Sequence, residues 1–281
     1  MSSKFSSDER QLTAAALAAK HAGAASAAIR YRFIARTGEG EDAPPMARVL
    51  RGSGGRGGAT RLKLYISLLW LARGRDEPVF AYPAQQLATL LGLPAPESAG
   101  ARRVQEAFRW LEKEGFVALD RRPGDATRVH LLDDAGSGNR YQDPGPLAKP
   151  HTKRSAKERE QHFYVRLPSK LWTEGWVAEL SGAAIAMYLA ALHEERGRAG
   201  ETIWISPRIG YERYDLSDET RNKGLRELVD YDLLYLQRLP VPQTSFDERY
   251  RARNAYRIPP NGLSRTTRTR HGGLDDLFDP S

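Results

Sequence analysis

The sequence predicts an α+β protein, mainly α, in which two similar units follow an N-terminal helical extension and precede a disordered C-terminal tail. The main observation is an apolar pattern that occurs twice, about 117 residues apart. Its members are Phe108, Leu111, Phe116, Val117 and Leu119 in the first copy and Leu225, Leu228, Leu233, Leu234 and Leu236 in the second. Apolar residues three apart suit one face of a helix, and the apolar run that follows suits a buried strand. Each copy therefore predicts a helix that leads into a strand.

Length and composition predict where the units begin and end. A chain of 281 residues is long enough for about two domains, and three stretches rich in Gly, Pro and charge separate the apolar patterns. The expected segments are an N-terminal helix and linker at 1–59, a first domain at 60–132, a linker at 133–161, a second domain at 162–260 and a basic-then-acidic tail at 261–281.

The first segment contains the alanine-rich run QLTAAALAAK, which favours a helix because alanine loses no side-chain entropy on becoming helical. The basic aromatic run RYRFIAR, residues 30–36, follows it. Two interpretations stay open for this region: a helix packed on the first domain or on a second subunit, or an arm that contacts DNA.

The first domain begins with an apolar stripe at helical spacing, formed by Leu62, Tyr65, Ile66, Leu69 and Trp70. Pro83 suits the start of the next helix and Gly92 suits the turn after it. Ser98 is the expected N-cap of the helix that carries the repeated pattern.

Basic side chains occupy one face of that helix. Arg102, Glu106, Arg109 and Lys113 are spaced so that they share the face opposite the apolar residues, and Arg103 joins them as a candidate DNA contact. The alternative is an ordinary solvated face on which Glu106 pairs with Arg102 and Arg109.

A hairpin is expected after this helix. The segment FVALDRRPGDATRVHLL alternates strand residues around Pro123, Gly124 and Asp125, which favour a turn. The arginines beside the turn are Arg121, Arg122 and Arg128, and exposed arginines at a hairpin tip are able to reach phosphates.

The second domain repeats this order. Ser206 and Pro207 predict a helix start, and Asp215 to Ser217 predict a tight turn into the next helix. Candidate DNA contacts on that helix are Thr220, Arg221, Asn222, Lys223 and Arg226, whereas Glu227 and Asp230 would repel phosphate. The second hairpin loop, roughly Pro240 to Arg253, adds Arg249, Arg251 and Arg253. Seven arginines and no acidic residue lie between Arg249 and His271, a composition that also suits a basic tail with sequence-independent affinity for DNA.

This order of helices and hairpin resembles the winged-helix form of the helix-turn-helix, and the paired layout is similar to plasmid replication initiators. The resemblance implies that the helix after the turn enters the DNA major groove while the hairpin wing touches the backbone. It therefore implies a double-stranded DNA-binding protein, most simply a plasmid or mobile-element replication initiator. The alternatives are a transcriptional regulator and a winged-helix protein-interaction subunit of a chromosome-organising complex.

Charge and missing motifs agree with a DNA partner. The formal net charge is +8, from 34 arginines and 9 lysines against 35 acidic residues, and a basic surface attracts phosphate, although a GC-rich genome also enriches arginine. The absence of cysteine excludes thiolate zinc sites. The pattern GSGGRG at 52–57 lacks a preceding strand and predicts a flexible linker. We expect no enzymatic activity, no cofactor, no metal, no membrane segment and a cytoplasmic protein associated with the nucleoid or a plasmid.

Two further features concern packing and partners. Trp172 and Trp176 are four residues apart, which favours a core or subunit-interface role over base stacking. Leu277 and Phe278 lie among aspartates near the C-terminus and are typical of a peptide that docks on a partner, loosely similar to the motif by which bacterial proteins bind the sliding clamp; a solubilising tail is the alternative. The expected partners are DNA, a replication or transcription protein at the tail, and a second copy of the chain.

Overall fold

The computed structural model describes residues 6–38, 40–51, 57–122, 127–150, 153–240 and 252–265. Within them the chain is mixed α and β with helix predominating, so the predicted fold class is confirmed at this level. The N-terminal elements are α1 (Ser6–Ala22), β1 (Ser26–Arg30), α2 (Tyr31–Ile34) and α3 (Pro45–Arg51). The alanine-rich run forms α1, as predicted.

Two stretches of the chain contain the repeated elements. The first unit, residues 57–131, contains α4 (Gly57–Leu71), β2 (Val79–Phe80), α5 (Ala84–Leu90), α6 (Ala101–Lys113), β3 (Val117–Asp120) and β4 (Arg128–Leu131). After α7 (Pro144–Leu147) and α8 (Ala156–Glu160) come β5 (Tyr164–Pro168), α9 (Lys170–Thr173) and α10 (Trp176–Glu179). The second unit, residues 182–257, contains α11 (Gly182–Glu195), α12 (Pro207–Glu212), α13 (Asp218–Asp230), β6 (Tyr235–Pro240) and β7 (Ala252–Arg257).

The repeat found in the sequence is also a repeat of backbone geometry. Helices α6 and α13 both have 13 residues and end at equivalent positions. Phe116 N donates to the Leu111 carbonyl at 2.9 Å, and the equivalent Leu233 N donates to the Leu228 carbonyl at 2.8 Å. The same turn therefore leads from helix to strand in both units.

The sheets of the two units have the same connectivity. In the first unit the antiparallel order is β2-β4-β3. In the second, β6 pairs with β7, and Ile203, which precedes α12, forms a bridge to Tyr256 of β7. A segment between the first two helices thus pairs with the last strand in each unit. Both predicted hairpins are present, while the turn residues 123–126 and the loop residues 241–251 lie outside the described residues.

The helix starts agree with the sequence in the second unit and differ in the first. Ser206 Oγ accepts from Ile209 N at 3.1 Å, so it caps α12 as predicted. Ser98, however, does not cap α6. It lies within a π-helical turn, Pro96–Gly100, that runs directly into α6, because Pro96 already suits the first position of a helix.

The core is continuous across both units. Helix α4 is buried along nearly its whole length, including Arg61 and Lys63, rather than on the single predicted stripe. The reason is that α4 packs against α6 on one side and α11 on the other. Trp70 of α4 stacks on Trp172 with ring centroids 4.4 Å apart. The predicted core role of Trp172 and Trp176 agrees with their burial, although the two residues lie in separate short helices.

The segments expected to be flexible linkers contain ordered, buried parts, which corrects that expectation. Residues 45–51 form α3, in which Met46 and Val49 are buried. Asp134, at the start of the second expected linker, is 0% exposed and pairs with Arg30. Proline and glycine content predicted loops here, but buried partners elsewhere in the chain hold these residues in place.

The N-terminal segment is integrated into the fold. Strand β1 pairs antiparallel with β5, from Ser26 opposite Pro168 to Arg30 opposite Tyr164. Arg36 of the basic run forms an ion pair with Asp215 at 2.9 Å, in the turn between α12 and α13. This geometry agrees with the prediction that the N-terminal region packs on the rest of the protein. The arginines of the run 30–36 that form ion pairs therefore make structural contacts.

Gly224 permits the close approach of α11 and α13. A Cβ atom at this position would lie 2.6 Å from Met187 Cγ and closer still to the backbone carbonyl oxygen of Ala183. Because a carbonyl within a helix has little freedom to shift, we expect Gly224→Ala to lower the free energy of unfolding by roughly 1–3 kcal/mol, despite alanine's better helix propensity.

Chemical denaturation would measure this change, with Gly57→Ala as the matched control. At Gly57 a Cβ would have its nearest contact at 3.7 Å, from Arg61 Nη2, so that variant should be neutral or slightly more stable. Equal stability of the two variants would contradict the close packing of α11 on α13.

Candidate nucleic-acid interface

The exposed face of α6 carries the basic residues predicted from the sequence. Arg102 and Glu106 form one ion pair at 3.5 Å, with side chains 75% and 56% exposed, and a pair so exposed contributes little to stability. Arg109 and Lys113 are exposed and have no ion pair within the described part of the chain. The expected pairing of Glu106 is thus observed with Arg102 but not with Arg109.

The first hairpin contacts α6 through one of its arginines. Arg121 Nη2 lies 2.7 Å from Glu112 Oε2, and the same carboxylate accepts from Leu119 N at 3.2 Å. Arg122 pairs with Asp120 at 3.1 Å. Arg128 on β4 is exposed and lacks an ion pair among the described residues. The contacts with Glu112 therefore hold the hairpin beside α6. The two ion pairs also partly neutralise the charges of Arg121 and Arg122.

A groove of about 470 Å³ separates α6 from the hairpin. Arg109 lines it from the helix, and Arg121 lines it from the hairpin. Its floor is apolar and includes Phe108, Leu119 and Val129. Two arginine side chains, one from the helix and one from the hairpin, thus line one cleft, an arrangement suited to an anionic ligand.

Arg103 lies away from this groove. It lines a separate depression together with Thr60, Arg61 and Trp110, between α4 and α6. The guanidinium of Arg61 stacks 4.4 Å from the centre of the Trp110 ring. Arg103 is therefore not brought together with Arg109 and Lys113, because residues six apart on a helix point in different directions.

In the second unit, Arg221 has a packing role that the sequence did not reveal. Its side chain is 11% exposed, and its Nη1 donates to the Ile205 carbonyl at 3.0 Å. The side chain also crosses Gly210 of α12, where a Cβ would lie 2.8 Å from Arg221 Cδ. We therefore remove Arg221 from the candidate DNA contacts: its guanidinium holds α13 against α12.

The other candidates near the start of α13 are better placed. Asn222, Lys223 and Arg226 are exposed. Thr220 is half-buried, and its hydroxyl oxygen accepts from Ser217 Oγ at 3.0 Å at the helix N-cap. The first two turns of α13 thus present an amide and two basic side chains to solvent.

The sequence predicted that Glu227 would repel phosphate at this face, but the structure places its carboxylate elsewhere. Its carboxylate accepts from Ser181 N at 2.7 Å and from Ser181 Oγ, at the start of α11. Lys63 of α4 lies near the same carboxylate and donates to the Ala178 carbonyl at 3.1 Å. Burial lowers the pKa of Lys63 to about 8, an effect that Glu227 opposes. Glu227 therefore contributes to the contact between the two units.

Several predicted residues lie outside the described part of the chain, namely Arg249, Arg251, Leu277 and Phe278. Arg253 is described, and its guanidinium stacks 4.6 Å from the centre of the Trp204 ring. Trp204 had not been singled out from the sequence. In the sequence, this outward face of the sheet is indicated only by the alternate residues Tyr235, Gln237 and Leu239 of β6, which share one side of the strand.

Comparisons with protein-family models, with curated proteins and with solved structures found no match. Among the described residues, no group of histidine, aspartate or glutamate side chains has a geometry that would hold a metal ion. None of the described helices combines the length and apolar character needed to cross a membrane.

Proposed function

We propose that the protein binds double-stranded DNA and that its two units are winged helices, each with a recognition helix (α6 or α13) and a hairpin wing. Three observations support this proposal: both units have the same element order, the same strand pairing and the same turn from helix to strand. Element order of this kind places the second helix of the turn in the major groove.

The observation that carries the proposal is the groove between α6 and the first hairpin, with Arg109 on one wall and Arg121 on the other. A recognition helix in the major groove presents its side chains to base edges, so a duplex bound here would meet Arg109 from the helix and Arg121 from the hairpin. Lys113 and Arg128 extend the basic surface. On α13, the residues that take the corresponding role are Asn222, Lys223 and Arg226.

For the biological process, we propose initiation of plasmid or mobile-element replication, in the cytoplasm and in association with the plasmid or nucleoid. A chain with two related but unequal units is suited to recognising DNA that contains repeated binding sites. The shared core supports this use, because α4 and α11 are packed together and fix the two units relative to each other. A gene neighbourhood with direct repeats would agree with initiation, whereas a divergent promoter would favour transcriptional regulation.

Binding to duplex DNA from the native locus should fall steeply with salt, by roughly 0.9 log units per log unit of salt for each phosphate contacted. Arg109→Gln should reduce preference for the cognate site by about 1–3 kcal/mol if the guanidinium contacts guanine. Arg128→Gln should weaken cognate and random duplex alike. Electrophoretic shifts in competition with random DNA would measure both effects.

The matched control is Arg140→Gln. The Arg140 side chain is 80% exposed and pairs with Glu77, and neither residue lines the groove, so its loss should leave both affinities within about twofold, as expected for a surface ion pair. The absence of duplex binding at low salt, or equal losses for Arg109→Gln and Arg140→Gln, would overturn the proposal in favour of a protein-binding role.

A further inference from the structure

The sheet of the second unit has an outward face that the DNA-binding proposal does not use. Leu236 of β6 lies toward the core, where its cross-strand partner Tyr256 is 2% exposed. Since side chains alternate along a strand, Tyr235, Gln237 and Leu239 lie on the opposite face. Their cross-strand partners on β7 are Arg257, Ala255 and Arg253.

Aromatic rings and guanidinium groups alternate across this face. Trp204, next to the bridging residue Ile203, is 43% exposed and lies under the Arg253 guanidinium, 4.6 Å from its carbon to the ring centre. Tyr235 is 42% exposed and has the Arg257 guanidinium at 5.9 Å from its ring centre. We name these residues, Trp204, Tyr235, Arg253 and Arg257, the aromatic-arginine face.

The two arginines of this face have no acidic partner among the described residues. Neither Arg253 nor Arg257 forms an ion pair with a carboxylate among the described residues, and the Nε atom of each is buried without a hydrogen-bond partner. Each guanidinium thus lies over an aromatic ring, and its terminal nitrogens have no hydrogen bond or ion pair within the described part of the chain. A second copy of the chain placed on this face would bring like charges together, which disfavours a self-association role.

The ligand that fits is an anion with flat apolar surfaces. Single-stranded DNA has both properties, because its phosphates suit arginine and its exposed base faces stack on tryptophan and tyrosine. In a duplex the base faces are covered by their neighbours. Partly exposed rings beside guanidinium groups that have no carboxylate partner among the described residues thus favour a single strand over a duplex.

We infer that the aromatic-arginine face binds single-stranded DNA, with bases stacked against the Trp204–Arg253 and Tyr235–Arg257 pairs and phosphates held by the two guanidinium groups. This site lies on the outer face of the second unit's sheet, whereas the proposed duplex contacts lie on α6, α13 and the first hairpin. The two activities are therefore separable by substitution, and failure of one does not entail failure of the other.

Fluorescence anisotropy with a labelled oligothymidylate of about 20 nucleotides, which is longer than a typical single-strand site, would test this inference in the full-length chain. Trp204→Ala should weaken binding roughly 5- to 100-fold, the range expected for the loss of one stacked base. Trp204→Phe retains an aromatic face and should keep most of the affinity. Tyr211→Ala is the control, because Tyr211 is 66% exposed on α12 and carries no stacked arginine among the described residues.

Duplex binding and thermal unfolding measured on the same variants separate stacking from misfolding. The inference holds if Trp204→Ala loses oligothymidylate but keeps duplex affinity and its melting temperature, while Tyr211→Ala binds as the unaltered chain does. It is overturned if the unaltered chain does not bind oligothymidylate at low salt. It is also overturned if Trp204→Ala binds normally while Arg253→Gln and Arg140→Gln weaken binding equally, because attraction would then be electrostatic alone.

Discussion

Arg30→Met is expected to lower the free energy of unfolding by about 3–5 kcal/mol, because it removes the nearest partner of a buried carboxylate and leaves the more distant Arg32, whose Nη2 lies 3.7 Å from Asp134 Oδ1. Arg30 Nη1 lies 2.9 Å from Asp134 Oδ1, and these side chains are 1% and 0% exposed. Arg30 Nη2 also donates to the Gln142 carbonyl at 2.5 Å. One guanidinium thus joins β1 to two positions of the segment that connects the units.

The pH dependence of this variant reports on Asp134, the carboxylate that loses its nearest cation. Burial raises the pKa of Asp134, and the Arg30 guanidinium opposes that rise. Without Arg30 the pKa in the folded state should rise further. A carboxyl whose pKa is higher in the folded than in the unfolded state destabilises the fold when it is ionised. The loss of unfolding free energy in Arg30→Met should therefore be largest at neutral pH. It should shrink as the pH falls toward about 4, the value for Asp in unfolded chains.

Urea denaturation at several pH values would measure both effects. The double variant Arg30→Met with Asp134→Leu is the control, because replacing a buried pair with apolar residues costs far less than removing one partner. A loss below about 1 kcal/mol for Arg30→Met alone, as a surface ion pair would give, would contradict the described burial of this pair.

The contrast between the repeat and this ion pair shows what the sequence was able to predict. Phe108 and Leu225, with the apolar residues that follow them, carry local periodicity, and local periodicity determines helix and strand. The pairing of Arg30 with Asp134 joins residues 104 positions apart. No local pattern encodes such a contact, and the glycine and proline residues beyond Asp134 suggested a linker.

The candidate site was predicted in part for a similar reason. Helical spacing placed Arg109 and Lys113 on the exposed face of α6, which the structure agrees with. The same reasoning failed for Arg221 of α13, because a long side chain is able to lie across a neighbouring helix where a residue such as Gly210 of α12 leaves space. Spacing gives the direction of a Cβ atom, whereas the position of a guanidinium also depends on what lies beside it.

The continuous core predicts that the two units unfold together. Trp172 is 0% exposed, stacks on Trp70 at 4.4 Å and donates from Nε1 to Ser67 Oγ at 2.8 Å. We expect Trp172→Ala to lower the free energy of unfolding by about 3–5 kcal/mol, the usual cost of emptying a buried tryptophan site. Trp172 lies in α9, between the two units, and its partners Trp70 and Ser67 belong to α4 of the first unit. Because α4 also packs on α11 of the second unit, the loss should affect both units.

Thermal unfolding followed by circular dichroism and by hydrogen exchange would test this coupling. In Trp172→Ala, amides of α6 in the first unit and of α13 in the second should lose protection by similar amounts, since both helices pack on the shared α4 and α11 layer. Ser67→Ala is the matched control: it removes the hydrogen bond and keeps the ring stack, so a loss of only about 1–3 kcal/mol is expected. Loss of protection confined to α13 would mean that each unit is stable by itself, and the proposed fixed spacing of the two recognition helices would then have no structural basis.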